Sequence, residues 1–122
     1  MKLFLLSNLL FLSIFSNAAE ISVTTRDEIN HLFSHLASSG CKFNRNGSWY
    51  SSAEASAHLK NKYEYLMGKN QITTTESYIE KAASESNKLG KPYKVKCGDE
   101  GAVVSSVWLT GELQEYRKNK GH

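Results

Sequence analysis

Glu54, His58 and Lys62 recur every four residues, a spacing that stacks a carboxylate, an imidazole and an ammonium along one stripe of a helix. Imidazole titrates close to neutral pH, so a carboxylate that raised its pKa would make the stripe a pH-sensitive contact. With Arg45 and Lys91 added, the same stripe lines an anion pocket. Spaced opposite charges are more ordinarily a solvated helix face, and the sequence alone favours that meaning. No serine, cysteine or second acidic residue has a motif that would make His58 a catalytic base. His31 and His35, in "HLFSH", also stand four apart, as zinc-binding pairs do. The glutamate of the H-E-x-x-H motif is missing and no third ligand is fixed, so they read as two surface histidines. No metal or other cofactor is assigned on this basis.

The stretch "CKFNRNGSWYSSAE" adds a second group of candidates. Asn46-Gly47 is a strong hairpin signal, and a two-residue turn there sets Arg45 opposite Ser48, Asn44 opposite Trp49 and Phe43 opposite Tyr50. If Cys41, Phe43 and Tyr50 point inward, Arg45 lies on their side at the rim, and Trp49 and Asn44 face the other way. Trp49 is then an exposed anchor of the kind enriched at binding hot spots, against the plainer expectation of a covered or solitary aromatic. Arg45 has a candidate partner in Glu54, which caps the helix that follows. On that reading Arg45 ties hairpin to helix.

Six further segments must carry these residues. A helix is expected from Thr25, capped through Thr25 and Glu28, with Ile29, Leu32, Phe33 and Leu36 inward and Gly40 ending it. Ser51 and Glu54 repeat the capping spacing and predict a helix over 52–67, with Ala55, Leu59, Tyr63 and Leu66 buried. "TTTESYIEKAASESN" predicts a third helix of about 13 residues. Gly90 caps it, "YKVKC" alternates as a strand with Tyr93, Val95 and Cys97 on one face, and Ala102 to Val104 offers a short strand. A final helix, capped by Ser105 or Ser106, carries Trp108, Leu109, Leu113 and Tyr116 inward, and the tail 118–122 is expected to fray. The order gives an α+β fold: a small antiparallel sheet, made of a hairpin plus one or two strands, packed with about four helices.

Residues 1–18 read as a secretory signal peptide: Lys2, the apolar run Leu3 to Phe15, and small residues up to Ala18. That run is shorter than the roughly 20 residues that span a bilayer, so no stable membrane insertion is expected. The remainder, 19–122, is one α+β domain by length. Loss of Lys2 lowers the charge balance from +3 to +2, too weak for a dedicated nucleic-acid module. Lys91, Lys94 and Lys96 beside Tyr93 read as a strand edge protected from pairing. The two cysteines, Cys41 and Cys97, form one disulfide in an oxidising compartment. Closing so long a loop stabilises the fold by about 4 kcal/mol on the chain-entropy argument.

At "FNRNG", "AEASAHLKNKYEY", "TTESYIEKAAS" and "GKPYKVKC" the chain resembles the small exported proteins related to YfeK, a family with a domain-of-unknown-function label. The resemblance implies a periplasmic location and brings no activity, ligand or catalytic residue with it. The expected function is a non-catalytic binding or accessory protein, with an unknown protein or envelope component as partner and Arg45, Trp49, His58 and Lys62 as contacts. Two alternatives stand beside it, an inhibitor or immunity-type protein directed at an envelope hydrolase and a small enzyme using His58. Oligomeric state and ligand are not written in the sequence.

Overall fold

The computed structural model describes residues 21–86 and 90–121. The signal peptide expected over 1–18 lies outside them. Helix α1 spans Val23–Ser38, the hairpin strands β1 and β2 span Lys42–Arg45 and Ser48–Tyr50, and α2 spans Ser52–Gly68. Then come α3 at Thr75–Ala82, β3 at Lys94–Lys96, β4 at Val103–Val104 and α4 at Ser105–Asn119. The sheet has the order β2-β1-β3-β4 with antiparallel pairing throughout. This is the α+β architecture expected, with four helices and four strands among the described residues and a Cys41–Cys97 disulfide.

The hairpin forms in the expected register, Phe43 with Tyr50, Asn44 with Trp49 and Arg45 with Ser48. Asn46 and Gly47 both have positive φ, 54° and 88°, as a type I′ turn requires at its two central residues. Asn44 also accepts a hydrogen bond at Oδ1 from the Gly47 N–H. Cross-strand pairing then puts Phe43 beside Val95 on the face that meets the helices, where both are buried. The disulfide joins the residue before β1 to the residue after β3, so it fastens the two central strands at one end. The core fills the space between this face and the helices with Ile29, Leu32, Leu36, Leu59, Ile72, Tyr78, Tyr93 and Leu109.

Several local expectations are corrected. α1 begins at Val23 with Ser22 as its cap, because the Ser22 side chain accepts from the Thr25 N–H; Glu28 does not serve the cap and turns inward. α3 stops at Ala82, well short of the expected length. Its apolar stripe continues past the helix because Ser84 to Ser86 pair with the chain returning through Pro92: Tyr93 N–H donates to the Ser84 carbonyl, and Ser86 N–H to that of Lys91. Those backbone bonds replace a further helical turn. α4 has no side-chain cap; Ser105 is buried and its hydroxyl donates to the Ala83 carbonyl. α4 also runs to Asn119, into the segment assigned to a frayed tail. Lys94 and Lys96 stand on the exposed face of an interior strand, since β3 pairs with both β1 and β4.

The helices are clamped by one arginine. Arg117 on α4 donates from Nε and Nη2 to the two oxygens of Glu28 on α1, at 2.8 and 2.9 Å, and from Nη1 to Glu76 on α3 at 2.7 Å. Glu28 is only 3% exposed, and Thr75 donates a further hydrogen bond to it. The paired carboxylates push the Arg117 pKa further up, chiefly through hydrogen bonds, and Glu76 is lowered in return. Removing one partner of such a pair strands a buried charge. Arg117→Met is therefore expected to cost about 3–5 kcal/mol in urea unfolding. A loss below about 1 kcal/mol, the range of surface ion pairs, would contradict the clamp.

Candidate functional site

Ser51 caps α2 and Glu54 reciprocates, its carboxylate accepting from the Ser51 N–H at 3.0 Å while the Ser51 side chain accepts from the Glu54 N–H. This fixes where the helix starts and so where its next turns face. His58 lies one turn on and Lys62 a turn beyond, and the stripe passes from exposed Glu54 through half-buried His58 to buried Lys62, so only its first residue is solvated as the charges indicate. Lys62 is 9% exposed, with its ammonium turned under the hairpin toward β3. Nζ donates to the Glu85 carbonyl at 2.8 Å and to the Tyr93 hydroxyl at 3.2 Å, and lies 5.1 Å from the centre of the Tyr93 ring. The irregular return at 84–86 that shortened α3 supplies the carbonyl. β3 and its approach supply the phenol.

A cleft of about 350 Å³ opens above this ammonium, lined by Arg45, Asn46, His58, Asn61, Lys62, Tyr65, Ser86 and Tyr93. A smaller one, of about 180 Å³, shares Arg45 and His58 and adds Phe43, Tyr50, Glu54 and Ala55. Arg45 and His58 thus form the partition between the two. The guanidinium sits 5.7 Å from the centre of the Tyr50 ring. Among the described residues no ion pair links it to Glu54, so the proposed hairpin-to-helix tie does not form. Glu54 spends its carboxylate on the helix cap, which lowers its pKa, with Lys42 helping.

The lining of this cleft carries basic side chains and no acidic one, although the Glu85 carboxylate acts on Lys62 from outside it. Burial lowers the His58 pKa, and the positive charges of Arg45 and Lys62 lower it further; Glu54 does not raise it as expected. Burial also lowers the Lys62 pKa, Glu85 opposes that shift and Arg45 adds to it. The Tyr93 hydroxyl is raised by burial, with Arg45 partly opposing. His58 Nε2 is buried and, among the described residues, has no hydrogen-bond partner. Arg45 thus disfavours the charged forms of both His58 and Lys62, and the unpartnered His58 Nε2 lies beside the cations Arg45 and Lys62, an environment in which a nearby anion would favour the charged forms.

Arg45, His58 and Lys62 line one cleft, Glu54 lines only the smaller one, and Lys91 stays outside both linings. Trp49 does not join them. It is 46% exposed on the opposite face of the sheet, in a cross-strand row with Asn44, Lys94 and Val104. Tyr93, Asn61, Tyr65 and Ser86 were missed as site residues. Tyr93 had a readable signal, since strand alternation placed it inward; the others depend on contacts between α2 and the 84–86 return. His31 and His35 are half-buried against α4, with His31 bonded to Glu112.

Fold and site together define a disulfide-stapled α+β domain with a basic cleft between hairpin, helix and sheet. Residues 23–117 match DUF5329, described as a family of unknown function, and the chain belongs to that family. Neither the curated proteins nor the solved structures offer a match. No helix among the described residues is long and apolar enough to cross a membrane.

The depressed His58 pKa has a direct consequence for stability. Below its ordinary value of 6.5 the unfolded chain takes up a proton that the folded chain resists, so stability present above that pH falls as the solution is acidified toward the folded value. His58→Gln is expected to make the urea midpoint less dependent on pH between about 7 and 5. An unchanged slope would mean that His58 titrates alike in both states.

Proposed function

We propose that this is an exported, periplasmic binding protein without catalytic activity, whose cleft captures an anionic group, phosphate or carboxylate, carried by an envelope component or a protein partner. The apolar amino-terminal run and the disulfide support export. The observation that carries the binding reading is Lys62: a nearly buried ammonium at the base of an open cleft, held by neutral oxygens, with Arg45 above it. Burying an ammonium costs free energy unless a counter-charge is supplied. The exposed Glu85 carboxylate supplies part of it, a ligand anion the remainder, and Arg45, Asn46 and Asn61 add donors at the rim. Trp49 would extend the contact only for a partner large enough to reach around the sheet. An inhibitor of an envelope hydrolase would use the same cleft for an acidic side chain of its target.

The test is a nuclear magnetic resonance titration of the wild type and Lys62→Met with inorganic phosphate and with succinate. Shifts concentrated at Arg45, His58, Lys62 and Tyr93 are expected in the wild type. Loss of a charged hydrogen-bond donor removes about 1.5–3 kcal/mol, so affinity should fall roughly ten- to hundredfold in the variant. Thermal stability of Lys62→Met is expected to be unchanged or higher, since the variant buries no charge. No localised shift with either anion, or shifts indifferent to the substitution, would contradict the proposal.

A further inference from the structure

The contact between α1 and α4 carries a second cluster, which shares no residue with the cleft. His31 and His35 lie one turn apart on α1 and converge on a single carboxylate from α4: His31 Nε2 is 2.7 Å from Glu112 Oε2, and His35 Nε2 is 3.5 Å from Glu112 Oε1. One ligand atom from each of the three falls within 4.8 Å of the others. The geometry points to a binding site for a divalent transition ion, with Zn²⁺ as the reference ion, held by His31, His35 and Glu112.

The donor chemistry suits that assignment. Two imidazoles and one carboxylate are a borderline-soft set that favours zinc and its neighbours over magnesium or calcium. A tetrahedral ion with bonds of about 2.0–2.1 Å would hold its donors roughly 3.3 Å apart. The two histidines face different oxygens of the carboxylate, at 2.7 and 3.5 Å, and one atom from each of the three residues already lies within 4.8 Å of the others, so side-chain adjustments of about an ångström bring them round one ion. Ring packing restricts the ligands beforehand. His31 stacks on Tyr116 with centroids 4.2 Å apart, and His35 leans on Trp108 at 4.8 Å. Less rotamer freedom is then lost when an ion binds. The three side chains are 31%, 33% and 22% exposed, so an ion can reach them and keep a coordination position open to water.

A carboxylate shared between two histidines can also hold the helices together with no ion, and the experiment separates the two. Zn²⁺ is titrated by calorimetry into chelator-treated wild type, Glu112→Gln, His31→Gln and His35→Gln, each checked by circular dichroism. One ion per chain is expected, with affinity at least about tenfold weaker in every variant, the least that loss of a direct ligand should cost. Cu²⁺ serves as a spectroscopic probe, with coupling to two imidazole nitrogens expected in the wild type. Should a variant fail to fold, wild-type ring resonances decide: Zn²⁺ must shift those of His31 and His35 and spare His58. Affinity unchanged in Glu112→Gln, absence of one-to-one binding to the wild type, or shifts centred on His58 would overturn the site.

Discussion

A charge withdrawn from water must be compensated, and this fold meets that constraint twice with opposite results. Glu28 and Lys62 are the charged side chains that are nearly or fully buried among the described residues. Glu28 receives a two-pronged guanidinium and a threonine hydroxyl, so its charge is matched by the protein itself. That match locks α1 to α4, and through Glu76 to α3. Lys62 donates hydrogen bonds to a carbonyl and a phenol, both neutral, and its pKa falls because burial, with Arg45 adding to it, outweighs the attraction of the Glu85 carboxylate. The first arrangement is complete as a structural device. The second is compensated only in part, by Glu85, and on the proposed function a negative group from outside completes it.

The scaffold explains how such a cleft persists. Arg45 stands at the end of β1 beside a two-residue turn, His58 and Lys62 sit on successive turns of a capped helix, and Tyr93 precedes β3. The Cys41–Cys97 bond fastens β1 to β3 at the end away from the Asn46-Gly47 turn. β1 and α2 thus hold the basic groups close enough for Arg45 to lower the proton affinity of His58 and Lys62. Preorganised positive charge of this kind is what a binding site requires and what a core, left to itself, disfavours.

Much of this was legible in the sequence where the signals are local. Asn46-Gly47 has the turn chemistry that determines a hairpin register, and Ser51 with Glu54 has the capping chemistry that determines a helix start. Both therefore came out as read. Signals that depend on distant partners did not. Glu28 resembled a capping residue because Thr25 precedes it at the right spacing, and only the arrival of Arg117 from α4 shows why it is buried. Lys62 resembled one of a row of solvated charges; the 84–86 return that receives it arises from backbone pairing with Lys91 and Tyr93, which no periodicity encodes. Glu112 carried no sign of its histidines, because helix packing alone joins them. Of the stripe Glu54, His58 and Lys62 with Arg45 and Lys91, three residues line the larger cleft, and its remaining walls come from tertiary contacts.

The most direct measurement is the titration of the Lys62 ammonium itself, followed through its side-chain ¹³Cε and ¹⁵Nζ resonances with and without inorganic phosphate. A pKa below the ordinary 10.5 in the free protein, rising when phosphate is added, is the expected result, because the anion favours the charged form. A free-protein value at or above 10.5, unmoved by phosphate, would show that the ammonium is already compensated within the fold and would contradict the reading of the cleft as an anion site.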